Sequence, residues 1–262
     1  LLSALLTSPS QAAAPHSPHA FSSFLEPFAR AADRSTGSTD TRQLGQLIKS
    51  HFESLGFETV GSQSFSTPVR NSSRSYLTLS STGKRISISP FISNIISPDT
   101  VGGKGISGHL IHVGKGEISD FNGKQTSGAI VLMDIDSKGN WLNALSLGAR
   151  AVIYLYDTVP DKYLFQDKIE LTPVNFPRFT VSRTDVAPLL AESRAPGGSG
   201  TPETARIISD LRWEEVDAEN IYCLIQGSDP KQKKELLIVE SFYDTGRFIP
   251  GRSPGADQAC SI

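Results

Sequence analysis

Apolar residues recur along this chain at spacings that change from one region to the next. Over 39–56 they recur every three or four positions, which predicts an amphipathic helix capped by Thr39 or Asp40 and ended by Gly56. A short strand is predicted directly after this helix, at 57–60. The mixture of helical and strand patterns predicts an α/β protein.

Continuous apolar runs dominate the middle of the chain. Such runs are typical of strands that are buried on both faces of a sheet. They predict, in order, strands at 106–113 and 128–133, a helix at 140–147, strands at 149–155 and 177–182, and a helix at 186–190. After a linker rich in Gly, Pro and Ser, further strands are predicted at 205–208, 220–225 and 235–239.

The last apolar run, 236–239, carries the strongest functional signal. It contains four large apolar residues and is expected to form a buried strand. Asp244 follows in a polar turn, and Asp257 ends a Pro-Gly-Ala-Asp turn further on. Residues that follow a strand emerge at the C-terminal edge of the sheet, where open α/β sheets place ligands. Both aspartates are therefore candidates for a cleft, with turn formation as the alternative role.

Residues 236–258 resemble the first metal motif of the di-zinc aminopeptidase family, which includes glutamate carboxypeptidase II. In that family a strand runs into His-x-Asp, and a turn similar to Pro-Gly-Ala-Asp-Asp follows. The resemblance implies that Asp244 supports the histidine and that Asp257 bridges two zinc ions. Phe242 stands where the zinc-binding histidine is expected, and a phenyl ring has no lone pair to give a metal. Gln258 replaces the second acid of the usual pair.

The resemblance leaves two classes of function open. An active member would be a metal-dependent exopeptidase that hydrolyses N-terminal residues or short peptides, with zinc bound in the full-length protein. A degenerate member would be a non-catalytic binding or scaffold protein for a peptide or protein ligand, with Phe242, Tyr243 and Gln258 lining the cleft. In both cases we expect no catalytic residue and no zinc within these 262 residues, because the family's remaining ligands and its catalytic glutamate would follow Ile262.

The middle of the chain is similar to a protease-associated domain, in its order of a strand, a helix, a Gly-Ala-x-Ala-Val-Ile strand and a Pro-led strand. Together the two resemblances imply a zinc-exopeptidase-like mixed sheet, partial in this chain and interrupted by a β-rich protease-associated domain. The expected units are a leader at 1–25, a discontinuous peptidase-like domain at 26–97 and 203–262, a protease-associated domain at 98–192 and a linker at 193–202. A third function class also follows, in which the protease-associated unit is an independent ligand-binding module.

Charge and composition narrow the choice of partners. A net charge of −2 and a pI near 6.2 give no electrostatic footprint for nucleic acid, so we expect no nucleic-acid partner.

The first twenty residues resemble the end of a signal peptide, so an extracytoplasmic or secreted location is expected, with a disordered leader as the alternative. No run reaches the roughly 20 apolar residues that span a bilayer, so no membrane insertion is expected within the chain. Cys223 and Cys260 are expected to be either a disulfide or two buried thiols.

Two histidines in the first predicted strand of the middle region, His109 and His112, invite a metal interpretation. Residues three apart in a strand point to opposite faces of the sheet. We therefore expect no chelation by this pair.

Overall fold

The computed structural model describes residues 18–92, 101–158, 164, 167–169, 174–192 and 203–245. The helices among them are α1 Pro18–Arg30, α2 Thr39–Ser54, α3 Trp141–Ser146 and α4 Ala187–Glu192, with 3₁₀ turns at Ile118–Phe121 and Arg183–Val186. The strands are β1 Thr59–Asn71, β2 Ser75–Leu79, β3 Arg85–Ser87, β4 Ser89–Pro90, β5 Ile106–His112, β6 Ile130–Asp134, β7 Ala151–Tyr156, β8 Arg178–Ser182, β9 Thr204–Ser209 and β10 Arg212–Leu224. The predicted mixed α/β class is confirmed.

The amphipathic helix predicted from the periodic pattern is α2. Its N-cap is Ser38 and not the predicted Thr39 or Asp40, because Ser38 has extended backbone angles and its hydroxyl accepts a hydrogen bond from the Thr41 amide. Leu44 and Ile48 on its buried face pack against Phe28 of α1. The predicted leader boundary at residue 25 falls inside α1.

Eight strands form one mixed sheet in the order β3-β2-β9-β5-β6-β7-β8-β4. The central strands β5 to β8 run parallel, whereas β9 and β4 flank them antiparallel. Alternate residues of β6 and β7 face opposite sides of the sheet, and each side has its own apolar cluster. The near-continuous apolar runs in these strands follow from this burial on both faces.

This sheet extends beyond the boundaries predicted for the protease-associated domain. Strands β2, β3 and β4 precede residue 98, and β9 follows the predicted linker at 193–202, which lies outside the described residues. Strand β9 lies between β2 and β5, so its backbone groups complete the hydrogen bonding of both neighbours. The strand predicted at 205–208 therefore belongs to the eight-stranded sheet.

A separate two-stranded antiparallel ribbon joins β1 to β10, with Thr59 opposite Leu224 and Asn71 opposite Arg212. Both strands are much longer than the segments predicted at 57–60 and 220–225. The prediction covered only one end of each strand, because polar Ser, Thr, Gln and Glu residues interrupt the apolar pattern over the rest. A ribbon that is not sandwiched between other layers needs no continuous apolar run.

The prediction of a buried strand at 236–239 was wrong. Leu236, Leu237, Ile238 and Val239 lie outside the helices and strands, and their exposed fractions range from 68 to 91%. A strand requires a neighbour that satisfies its backbone hydrogen bonds, and none of the described strands pairs with this segment. The sheet edge that was expected to present Asp244 is therefore not formed by these residues.

Candidate functional site

Three consecutive residues after the exposed run, Tyr243 to Thr245, attach to two other parts of the molecule. The Tyr243 hydroxyl donates to the carbonyl oxygen of Glu219 on β10 at 2.9 Å. The Thr36 hydroxyl donates to Asp244 Oδ2 at 2.6 Å, and the Thr245 amide donates to the carbonyl oxygen of Arg34 at 2.8 Å. We call these three residues the anchor segment, because they hold the loop before α2 against β10.

The loop at 33–38 is shaped by its own polar residues. Asp40 Oδ2 accepts from the amides of Ala32 and Asp33, and Asp33 Oδ1 accepts from the Ser35 amide. Gly37 has φ +77°, and a Cβ there would lie 2.6 Å from Val216 of β10. Only glycine fits this close approach. The loop is therefore fixed before α2 begins, which puts the Thr36 hydroxyl beside Asp244.

Tyr243 was predicted to line a cleft, and it lies half-buried against α2. Its ring packs with the cluster of Phe28, Leu44 and Ile48, and a Cβ on Gly45 would lie 3.2 Å from the Tyr243 hydroxyl. Burial raises the pKa of Tyr243, and the negative charges of Glu219 and Asp244 add to this effect. The phenol therefore stays protonated and acts as a hydrogen-bond donor.

The remaining predicted site residues are divided between described and undescribed parts of the chain. Phe242 is 60% exposed, whereas Asp244 is partly buried. Asp257, Gln258 and the second cysteine, Cys260, lie outside the described residues. The structure thus brings Asp244 together with Thr36, a partner that the sequence did not reveal because the two residues are 208 positions apart.

The described residues in and beside the anchor segment do not fit a catalytic zinc ion. A catalytic zinc site uses three protein ligands from histidine, carboxylate or thiolate side chains. Phe242 offers no donor atom, and Asp244 is the single carboxylate of the anchor segment. No group of three or more His, Cys, Asp or Glu residues that could hold a metal ion occurs among the described residues.

A second polar cluster lies where the parallel strands end, the edge at which α/β sheets often bind ligands. Arg183 bridges two carboxylates, with Nη2 2.9 Å from Asp134 and Nε 3.1 Å from Asp157. The hydrogen bond to Asp134 raises the pKa of Arg183. His112 Nε2 lies 3.7 Å from Asp134 Oδ1, whereas His109 Nε2 contacts the carbonyl oxygen of Gln125. The two histidines thus have different partners.

A buried lysine, Lys168, is a further feature that the sequence did not reveal. Its side chain is 1% exposed, and its Nζ lies 5.5 Å from the centre of the Tyr154 ring. Burial lowers the pKa of Lys168 to about 8, against the opposing effect of Asp167 and Asp136. The Lys168 carbonyl oxygen accepts from Arg178, whose guanidinium lies 3.8 Å from the Trp141 ring. The core beneath β7 therefore holds two cations among aromatic rings.

No protein-family model and no curated protein sequence matches the chain. Several solved structures do. The aminopeptidase from Aneurinibacillus sp. strain AM-1 is 21% identical, with a TM-score of 0.43 over 76% of this chain and 45% of its own. BSAP, a zinc aminopeptidase from Bacillus subtilis, is 21% identical, with a TM-score of 0.48 over 76% and 44%.

A peptidase M28 precursor from Shewanella amazonensis SB2B is 15% identical, with a TM-score of 0.46 over 79% of this chain and 50% of its own. The chain therefore spans half or less of the length of each of these three proteins. Separately, none of the helices that the structure describes is long and apolar enough to cross a membrane.

Proposed function

We propose that the chain is the N-terminal portion of an exported protein related to the zinc aminopeptidases, in which the 242–245 region serves binding or scaffolding and not zinc catalysis. The observation that carries this proposal is the hydrogen bond from Thr36 to Asp244. In the family that the sequence resembles, the aspartate at this position orients a zinc-bound histidine. Here Phe242 replaces that histidine, and a hydroxyl group satisfies the carboxylate instead.

The energetic reasoning favours a structural role for Asp244. A hydrogen bond to a carboxylate contributes about 1.5–3 kcal/mol when its partners are shielded from water. Asp244 and Thr36 are both partly buried, and the backbone bond from Thr245 to Arg34 lies directly beside them. Removing Asp244 would therefore weaken the attachment of the loop at 33–38 whether or not a metal binds elsewhere.

The proposed partner is a peptide or protein ligand, and the proposed location is extracytoplasmic. The export proposal is supported by the signal-like pattern of the first twenty residues. The partner proposal follows from the resemblance, since one fold can serve catalysis in one protein and binding in another. Zinc in the full-length protein would require ligands other than the described residues.

The test is peptidase activity of the full-length protein. We expect no turnover of aminoacyl-anilide or dipeptide substrates above buffer, with or without added zinc. The Asp244→Asn variant should show the same absence of turnover, together with a lower free energy of unfolding. Turnover that a chelator abolishes and zinc restores would overturn the scaffold proposal and establish the exopeptidase alternative.

A further inference from the structure

A cavity of about 250 Å³ lies beside the anchor segment, between the loop at 33–38 and the open end of the β1–β10 ribbon. Its walls come from five separate parts of the chain. The lining residues are Ser35, Thr36, Pro68, Val69, Arg70, Ile92, Trp213 and Thr245. No residue of this set was singled out by the sequence analysis.

One wall of the cavity combines an aromatic ring with a cation. Arg70 and Trp213 lie directly opposite each other in the antiparallel register of β1 and β10. The Arg70 guanidinium carbon lies 5.4 Å from the centre of the Trp213 ring, within the range of a cation–π contact. Trp213 remains 45% exposed, so much of its surface is available to a ligand.

The rest of the lining is apolar on one side and carries hydroxyl groups on the other. Pro68, Val69 and Ile92 supply apolar surface, and Ile92 is buried. Thr36 and Thr245 supply hydroxyl groups, and Thr245 is also buried. An apolar cavity with a few convergent polar groups is the usual composition of a small-ligand site.

We propose that this cavity binds the C-terminal residue of a peptide with a large apolar side chain. Among the described lining residues, the Arg70 guanidinium is the one group with a formal charge, so a ligand that complements them is an anion with an apolar body. A guanidinium has five N–H donors in a planar fork that matches a carboxylate, and these can serve more than one acceptor. The ligand side chain would pack on Trp213 and Val69 while its carboxylate approaches Arg70.

The size of the cavity limits the ligand to one residue. Sites for drug-sized ligands have volumes of roughly 300–1,000 Å³, and this cavity is smaller. The proposal requires no metal and no reaction at Asp244, so it can hold whether or not the full-length protein is a peptidase. A free carboxylic acid with an apolar body could make the same contacts, so the experiment compares such an acid with a peptide C-terminus.

The experiment uses tryptophan fluorescence of the full chain. The chain has two tryptophans, of which Trp141 is buried and Trp213 is half-exposed, so a ligand in the cavity changes the signal of Trp213. The probes are N-acetyl-L-phenylalanine, its amide and 3-phenylpropionate. We expect saturable binding of N-acetyl-L-phenylalanine with a dissociation constant of about 1 mM, from the usual efficiency per atom.

The amide should bind at least about fivefold more weakly, because it lacks the charge that pairs with Arg70. Equal binding of the acid and the amide, or no saturable binding of the acid, would overturn the proposal without any variant being needed. Binding of 3-phenylpropionate that is as tight as or tighter than that of N-acetyl-L-phenylalanine would also overturn it, since the site would then recognise a free acid and not a peptide end.

Two matched variants locate the site. Arg70→Met should remove the preference for the acid over the amide. Arg85→Met is the control, because Arg85 makes the same kind of contact with Tyr76 at 4.7 Å and is not part of the cavity lining. Loss of the preference in Arg70→Met alone supports the proposal, and an equal loss in both variants contradicts it.

Discussion

Two apolar runs of this chain look alike in sequence and differ completely in burial. Ile130 to Met133 in β6 are almost fully buried, whereas Leu236 to Val239 are mostly exposed. Each is a run of large apolar residues for which a buried strand was predicted. Strand β6 has β5 and β7 as hydrogen-bonded neighbours and an apolar cluster on each face, and the other run has no such neighbour among the described residues.

The difference shows that an apolar run is buried only where other parts of the protein pack against it, so the run alone does not predict its burial. Burial contributes about 25 cal/mol per Å² of apolar surface, but only where other surfaces are available to cover it. The run at 236–239 therefore presents one of the exposed apolar surfaces of the described chain. Such a surface is expected either to bind another surface or to promote association.

The comparison is tested most strongly by shortening one side chain in each region. Ile130→Ala in β6 should lower the free energy of unfolding by about 2–5 kcal/mol, because it leaves a cavity in the core. Ile238→Ala should change it by less than about 0.5 kcal/mol, because Ile238 is exposed. Urea unfolding followed by circular dichroism measures both values. Similar losses in the two variants would mean that 236–239 is buried in solution.

Lys168 gives a second test of the same contrast, because a charged side chain is buried in the core while the apolar run at 236–239 is exposed to water. The pKa of Lys168 is about 8 in the folded protein and near 10.5 when exposed. Below pH 8 Lys168 is protonated in both the folded and the unfolded protein, so burial of its charge lowers the free energy of unfolding by the full amount. Above pH 10.5 both states are neutral and the cost is gone. The free energy of unfolding should therefore rise between pH 8 and 10.5, by up to about 3 kcal/mol.

Lys168→Met should be more stable than the wild type at pH 7 and should lose this rise. Lys104→Met, at an exposed lysine, serves as the control and should keep the pH dependence of the wild type. Chemical denaturation across the pH range gives the comparison. An unchanged slope in Lys168→Met would show that this lysine is solvated.

The hydrogen bond between Thr36 and Asp244 of the anchor segment should contribute less to the free energy of unfolding than the buried side chains do. Thr36→Val removes the hydroxyl that donates to Asp244 and should cost about 1–2 kcal/mol. Asp244→Asn weakens the same bond, so the double variant should cost less than the sum of the two single changes. A double-variant cycle by urea denaturation measures the coupling. Full additivity would show that the two side chains do not interact.

Much of the fold could be predicted from local patterns. The helix α2 and the strands β5 to β8 were recognisable because each buries a face or both faces within the described chain. The full length of the β1–β10 ribbon could not be recognised in the sequence. Its stability comes from pairing between residues about 150 positions apart and not from an apolar pattern. Register between distant strands leaves no local signal.

The candidate site was less predictable than the fold. The sequence singled out Asp244 through a motif, but its partner Thr36 lies in a loop whose position depends on Gly37 and Val216. The cavity at Arg70 and Trp213 depends likewise on strand register and on residues from five parts of the chain. Such sites arise from tertiary packing, so only the structure reveals them.

Zinc content of the full-length protein, measured after dialysis against trace zinc, shows whether the 242–245 region belongs to a metal site. We expect no tightly bound zinc in the wild type, because Phe242 supplies no ligand and the Asp244 carboxylate accepts a hydrogen bond from Thr36. The Phe242→His variant, measured beside it, would gain zinc only if further ligands are present in the full-length protein. Two tightly bound zinc ions per wild-type chain would contradict the account and would show that another residue replaces the missing histidine.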